Sequence, residues 1–285
     1  MFGKTVLCAG LMAYTANAAA GEFDYNDLGA SWGEVAALCE YGKEQSPINL
    51  SKSGVEWSDK MQLNGFGYKD YPSGMFAERS DHTIVVNGVA DGEFELNFFD
   101  GSQSVFKPLQ FHLHAPSEHT VNGKNYDLEL HVVHLYKGSG GLGAVIGIFF
   151  DREAGGNYDN DFIESLKFGE TTKGGKLALE NVNLASLLGS VDMRAYWNYR
   201  GSLTTPPCTE GIKWTVIEQV QPISDAQLEA FTQYFSGDAE YAGGNGNNRE
   251  IMPLNDRTLY YSIGGAAKLM SGLTGLALAA SLSLF

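Results

Sequence analysis

The chain has 285 residues, a hydrophobic fraction of 44% and a formal net charge of −15 from 34 acidic and 19 basic side chains. This length and apolar content allow a substantial core in one large domain or two small ones. The acidity argues against a nucleic-acid partner, because phosphate binding needs a basic footprint.

The N-terminal segment, residues 1–20, is typical of a secretory signal peptide, and an ordinary N-terminal helix is the alternative. It has one basic residue, a short apolar stretch and a small-residue exit. Its removal takes Cys8 with it and leaves Cys39 and Cys208 from the original three cysteines. An even pair in an oxidising compartment indicates one disulfide.

Residues 21–263 show no composition break, linker or internal repeat, which favours one domain. Stretches rich in β-branched and aromatic residues lie between turn signals and predict strands. These stretches are residues 82–88, 92–99, 109–115, 127–136, 143–150 and 212–220. Helical patterns cover 159–169 and 224–235, and in the second Ser224 and Gln227 resemble a capping box. The predicted fold class is mainly β with peripheral helices.

The C-terminal segment, residues 264–285, ends in a run of seventeen uncharged residues, 269–285, that follows four small ones. This order is typical of a lipid-anchor signal with a short spacer. A short membrane-spanning helix and a packed or disordered tail are the alternatives. Together the two ends predict a protein of the secretory pathway, extracellular or at the cell surface, with membrane attachment through the tail left open.

Two of the predicted strands carry histidines on one side. Residues two apart in a strand point the same way, so Gln110, His112 and His114 share a face, as do Glu129 and His131. Imidazoles grouped in this way suit Zn²⁺, and three protein ligands leave the fourth tetrahedral position open, as in catalytic sites. Gln110 and Glu129 are placed to accept the second N–H of His112 and His131.

His119 and His134 need no metal and are interpreted as structural histidines. His134 lies on the opposite face of its strand from His131. A lone histidine such as His82, just before a strand, is typical of an exposed loop.

The stretch FHLHAPSEHTVNGKNYDLELHVVH, residues 111–134, occurs in one chain with KEQSPINL, YWNYRGSLTTPPCTEGIKWTV and NNREIMPLNDR. In order and separation these motifs resemble the α-class carbonic anhydrases over about residues 23–263. The resemblance implies a large twisted, mostly antiparallel sheet with a central zinc cavity. It also implies reversible hydration of CO2 to bicarbonate and a proton by zinc-bound hydroxide, with a histidine proton shuttle.

The resemblance implies that His112, His114 and His131 bind zinc, with Gln110 and Glu129 as outer partners. It also implies that Thr204 accepts a hydrogen bond from the zinc-bound hydroxide and donates one to Glu118. Thr205 would lie beside Thr204 in the bicarbonate region. An ionised Glu118 can only accept hydrogen bonds. Thr204 must therefore donate its single hydrogen bond to Glu118, and it can offer only lone pairs to the hydroxide. Without the family, T-T-P-P would be a common turn.

Four apolar residues match the wall that holds CO2 beside the metal, and core packing is their alternative role. They are Val133, Val145, Leu203 and Trp214. Cys39 and Cys208 match the disulfide of secreted members.

His82 matches the proton-shuttle histidine of the family, and Tyr25 matches a tyrosine of its solvent network. Ser80 and Val85 stand where some members have asparagines along the water chain. Two other functions stay open. A non-catalytic binding module on this fold would be expected to lack one of the zinc ligands, and a zinc-dependent esterase would need a wider cavity mouth.

Overall fold

The structure is a computed structural model. The structure describes residues 22–58, 60–64, 67–80, 82–89, 92–234 and 246–263. The predicted signal peptide, residues 1–20, and the hydrophobic tail, residues 264–285, lie outside these ranges. Within them, no helix combines the length and the apolar character needed to cross a membrane.

Strands dominate the described residues. The strands are β1 (Asn49–Leu50), β2 (Glu56–Trp57), β3 (Gln62–Asn64), β4 (Met75–Arg79), β5 (Ile84–Asn87), β6 (Phe94–Asn97), β7 (Gln103–His114), β8 (Thr120–Val121), β9 (Lys124–Asn125), β10 (Leu128–Tyr136), β11 (Leu142–Phe150), β12 (Lys176–Leu179), β13 (Ala195–Ser202), β14 (Glu210–Ile217) and β15 (Tyr260–Ile263). The helices are α1 (Ala37–Tyr41), α2 (Asp161–Ser165), α3 (Leu184–Ser190) and α4 (Asp225–Thr232), with 3₁₀ turns at Trp32–Glu34 and Phe168–Glu170.

The predicted strands are all present, as β5, β6, β7, β10, β11 and β14. Helix α4 begins with the predicted capping box. The Ser224 side chain accepts a hydrogen bond from the Gln227 main-chain N–H, and the Gln227 side chain accepts one from the Ser224 main-chain N–H. Helix α2 is shorter than the predicted 159–169. Lys167 adopts a left-handed conformation with φ of 49°, which separates α2 from the following 3₁₀ turn.

Most strands join one large mixed sheet, and β1, β8 and β9 form a small second one. In the large sheet the main order is β12-β4-β5-β7-β10-β11-β14-β13-β15-β2, with β6 also paired to β7 and β3 to β6. Neighbours are antiparallel except β11 with β14 and β15 with β2, which are parallel. The expected mostly antiparallel sheet is confirmed, and β7 and β10 lie near its middle.

The two faces of the central strands bury different clusters. On β7 and β10, Phe111, Leu113, Leu130 and Val132 are fully buried in the larger apolar core. Val133 points to the other side, into a smaller cluster around Trp197 and Trp214. The histidines that share a face with Val133 therefore lie away from the main core, on the side of the smaller cluster.

His134 is buried on the main-core side. This agrees with the prediction that it lies on the opposite face of its strand from His131. Its Nε2 is hydrogen-bonded to the Tyr68 hydroxyl, and its ring packs edge-on against Phe94 with centroids 4.6 Å apart. Burial lowers the pKa of His134 from 6.5 to about 3. The imidazole is therefore neutral in the folded protein over the whole physiological pH range.

This shift predicts a loss of stability in acid. The unfolded chain binds a proton at His134 below about pH 6.5, whereas the folded chain does so only near pH 3. Unfolding therefore takes up a proton between these values, and the free energy of unfolding falls as the pH falls. From pH 7.5 to pH 5 the loss due to this residue should be about 2 kcal/mol.

Urea unfolding of the wild type and of His134→Gln at both pH values measures this loss. The glutamine cannot titrate, so the wild type should lose about 2 kcal/mol more than the variant. Equal losses in the two proteins would contradict the assignment.

Candidate metal centre

Three histidines converge where β7 and β10 pair. His112 lies directly opposite His131 in the register, and His114 follows two residues along β7. One ring nitrogen from each lies within 4.8 Å of the others. Zn–N bonds of about 2.0–2.1 Å in a tetrahedral site separate ligand nitrogens by about 3.4 Å. The strand register thus brings together the three residues that parity placed on one side.

The second nitrogen of each ring contacts a group that can orient it. Nδ1 of His112 lies 3.0 Å from Oε1 of Gln110, and Nδ1 of His114 lies 2.7 Å from the main-chain oxygen of Asn247. Nε2 of His131 lies 3.0 Å from Oε1 of Glu129. Gln110 and Glu129 lie where the sequence placed them. Asn247 was not expected, because its contact with His114 spans 133 residues.

Nε2 of His114 is buried and has no hydrogen-bond partner within the described ranges. A buried nitrogen left unpaired is costly, so this atom marks a site built for a further ligand. Since Nδ1 of both β7 histidines is engaged, their Nε2 atoms are the ones available to a metal.

The site also favours the protonation state that a metal needs. Burial lowers the pKa of His112 well below its usual value, and His114 and His131 lower it further. Burial likewise lowers the pKa of His114. Both imidazoles are neutral at pH 7 and keep a lone pair for a metal. Neutral imidazoles grouped in this way fit Zn²⁺.

A buried polar network lies behind His131. Glu129 accepts from the main-chain N–H of His119 at 2.8 Å, and its other oxygen lies 2.7 Å from Nδ1 of His119. Nε2 of His119 lies 2.7 Å from the Tyr199 hydroxyl, which in turn lies 2.8 Å from Oγ of Ser46. His119 therefore has the structural role expected of it, since both of its ring nitrogens are engaged.

Glu118 is fully buried next to the histidines. Its Oε1 accepts from the Arg249 N–H at 2.9 Å, and its Oε2 lies 3.8 Å from Nδ1 of His131. Within the described ranges Oε2 has no hydrogen-bond partner. The expected hydrogen bond from Thr204 is therefore not formed in this structure.

Thr204 is buried and Thr205 is half-buried in the segment after β13. The Cys208 N–H donates to the Thr205 carbonyl at 2.8 Å, which closes a turn. Cys208 is bonded to Cys39, so the predicted disulfide is present and attaches this turn to α1.

The expected apolar wall is contiguous. Val133 pairs in register with Val145, and Val145 with Trp214. Leu203 is half-buried against the same cluster. The Trp214 ring lies 4.8 Å from the His131 ring, centroid to centroid. The wall therefore adjoins the histidines.

His82 and Tyr25 lie close together, with ring centroids 6.1 Å apart. The His82 ring is half-buried and stacks on Phe23 at 3.9 Å with a 15° interplanar angle. Burial raises the pKa of Tyr25 well above its usual value, and the negative charge of Glu118 raises it further. Tyr25 therefore keeps its proton at any physiological pH.

Comparison with known proteins agrees with this geometry. Residues 28–263 match the family model of the eukaryotic-type carbonic anhydrases. The chain is 34% identical to a carbonic anhydrase of Neisseria gonorrhoeae, covering 87% of this chain and 93% of the relative. Among solved structures it is similar to an α-carbonic anhydrase of Photobacterium profundum, with 33% identity, a TM-score of 0.66 and coverage of 80% of this chain and 94% of that one. With a family match over most of its length and a histidine cluster suited to zinc, the chain belongs to the α-class carbonic anhydrases.

Proposed function

We propose that this chain catalyses the reversible hydration of CO2 to bicarbonate and a proton, with Zn²⁺ held by His112, His114 and His131. The observation that carries the proposal is the convergence of these imidazoles beside an apolar wall. Bound there, Zn²⁺ would act as a Lewis acid that lowers the pKa of a coordinated water to about 7.

Orienting the ligands is the first task of the protein. Gln110, the Asn247 carbonyl and Glu129 each lie next to the second nitrogen of one histidine. Such outer partners fix the ring orientation and the tautomer of a ligating histidine. The buried network through His119 in turn fixes Glu129.

Thr204 would orient the attacking water. Oε2 of Glu118 is buried with no partner in the described part of the chain, and a carboxylate only accepts hydrogen bonds. We propose that Oε2 of Glu118 accepts a hydrogen bond from the Thr204 hydroxyl in the working enzyme. Thr204 could then offer only lone pairs to the nucleophile, and Thr205 would contact the bicarbonate formed.

The apolar wall would select a small apolar substrate. CO2 carries no net dipole, so Val133, Val145, Leu203 and Trp214 can hold it without hydrogen bonds. Comparing kcat/KM for CO2 with that for 4-nitrophenyl acetate tests this substrate assignment. CO2 should be preferred by several orders of magnitude, and a preference for the ester would favour a zinc hydrolase instead.

His82 would carry the proton to buffer. An imidazole with an unperturbed pKa of about 6.5 exchanges protons readily with a group of pKa about 7. In His82→Ala, kcat should fall because proton export limits turnover, while kcat/KM should stay nearly constant because it reports the attack on CO2. Added imidazole should restore part of kcat. A parallel loss of kcat/KM, or no rescue, would make His82 a structural residue.

We also propose that the protein enters the secretory pathway and that residues 264–285 direct it to a membrane. The basis for the first is the signal-peptide pattern of residues 1–20, and for the second the run of seventeen uncharged residues that starts at residue 269, after the family match ends at 263. A protein ending at Ile263 should be recovered in the soluble fraction with full activity, and the full-length chain with membranes. Recovery of the full-length protein in the soluble medium, tail intact, would contradict attachment.

A further inference from the structure

The backbone pairing between β5 and β7 stops at Val85 opposite His112. One residue further along β7, the carbonyl of Leu113 accepts two side-chain donors instead. Oγ1 of Thr83 donates to it at 2.6 Å, and Nδ2 of Asn247 donates at 3.0 Å. Leu113 separates the two β7 histidines, so its position is tied to theirs.

The amide of Asn247 joins this strand to the backbone at His82. Its Nδ2 also donates to the His82 carbonyl at 2.9 Å, and its Oδ1 accepts from the Ala115 N–H at 2.8 Å. A carbonyl can only accept and an N–H can only donate, so the orientation of the amide is fixed. Asn247 is fully buried, and a buried amide with every contact satisfied is a rigid link.

We propose that Thr83 and Asn247 are positioning residues whose side chains hold the backbone at His82 at a set distance from the metal ligands. The inference rests on the proposed shuttle role of His82. Proton transfer through a short water chain depends on the separation of its ends, and a misplacement of about 1 Å can cost up to about 100-fold. The side chains of Thr83 and Asn247, called the tether below, make their hydrogen bonds to Leu113, Ala115 and His82 and not to the residues of the apolar wall.

The stack on Phe23 complements this tether. It orients the His82 ring, while Thr83 and Asn247 fix the backbone that carries the ring. Loosening the tether should therefore move the imidazole away from the Phe23 face, which an NMR measurement can detect without reference to activity. Protons stacked over an aromatic ring are shifted upfield, and that shift should shrink.

The kinetic test compares Thr83→Val, Thr83→Ser and Asn247→Leu with the wild type. Thr83→Val keeps the shape but loses the donor, so kcat should fall by about 3- to 10-fold, with recovery in imidazole buffer and nearly constant kcat/KM. Thr83→Ser keeps the hydroxyl and should restore kcat. Asn247→Leu should lower kcat more strongly than Thr83→Val, but its kcat/KM is not a test of the tether, because the Asn247 carbonyl also contacts the ligand His114. Gln227→Leu is the matched control, because Gln227 is a buried amide on α4 whose Oε1 accepts from the Asn160 N–H at 2.9 Å and whose Nε2 donates to the Asn160 carbonyl at 3.1 Å.

The non-kinetic readouts are zinc affinity by chelator competition and the His82 imidazole signals, assigned with His82→Ala. The Asn247 carbonyl remains in every variant, so zinc affinity should change by less than the 10- to 100-fold typical of losing an outer partner. The upfield shift should shrink in Thr83→Val and persist in Gln227→Leu. Unchanged kcat and unchanged His82 signals in Thr83→Val would overturn the proposal, as would equal losses in kcat and kcat/KM. If His82→Ala itself keeps the wild-type kcat, the shuttle role fails, and the NMR shift alone decides whether the tether positions His82.

Discussion

Replacing His131 by alanine should abolish CO2 hydration and weaken zinc binding by more than the 10- to 100-fold that loss of an outer partner costs. Two imidazoles cannot complete the three-ligand arrangement of a catalytic zinc site. His131 is central because it pairs in register with His112 and contacts Glu129. His131 is the one member of the cluster His112, His114 and His131 that lies on β10, and the variant would lose it.

The measurement is zinc content after dialysis together with stopped-flow hydration. His134→Gln is the matched control, because this histidine lies on the same strand and is buried on the opposite face. It should keep stoichiometric zinc and the wild-type rate per folded molecule. Stoichiometric zinc with normal activity in His131→Ala would refute the ligand assignment.

Removing the disulfide should destabilise the protein strongly without changing the metal ligands. Cys39 and Cys208 are 169 residues apart, and closing so long a loop stabilises by about 5 kcal/mol in the chain-entropy description. The bond also supports a buried cluster. Nη2 of Arg249 donates to the Cys39 carbonyl at 2.7 Å, and Nε2 of Gln45 donates to the Cys208 carbonyl at 3.0 Å.

Guanidinium unfolding of Cys39→Ala, Cys208→Ala and the double variant measures the effect. All three should lose nearly the same free energy of unfolding, because either single change removes the whole bond. Thiol titration of the denatured, unreduced protein without residues 1–20 should find no free thiol. Two reactive thiols would contradict the disulfide, and a much smaller loss of stability would contradict its proposed contribution to the free energy of unfolding.

The ligands and the strands that carry them could be predicted from the sequence because they depend on local rules. Strand parity alone placed His112, His114 and His131 on one side of two strands. It also separated His134 from them. The pairing of β7 with β10 that brings the ligands together depends on side chains far apart in the chain, and its register shifts between Val133 and His134.

The parts that were missed depend on distant contacts or on context. Asn247 meets His114 through its main chain, which no side-chain pattern indicates. Strand β13 was missed because its residues are mostly buried on both faces, including Asn198, so it lacks the alternation that marks a half-buried strand. The hydrogen bond from Thr204 to Glu118 came from family resemblance alone; it is not formed in this structure and stays a proposal for the working enzyme.

Stopped-flow CO2 hydration before and after treatment with a zinc chelator tests whether zinc held by these histidines carries the activity. Fast hydration should disappear with the metal and return when stoichiometric Zn²⁺ is added back. The same cycle in His131→Ala should show no recovery. Hydration at the uncatalysed rate by the zinc-loaded protein, or full activity in the presence of the chelator, would contradict this role of zinc.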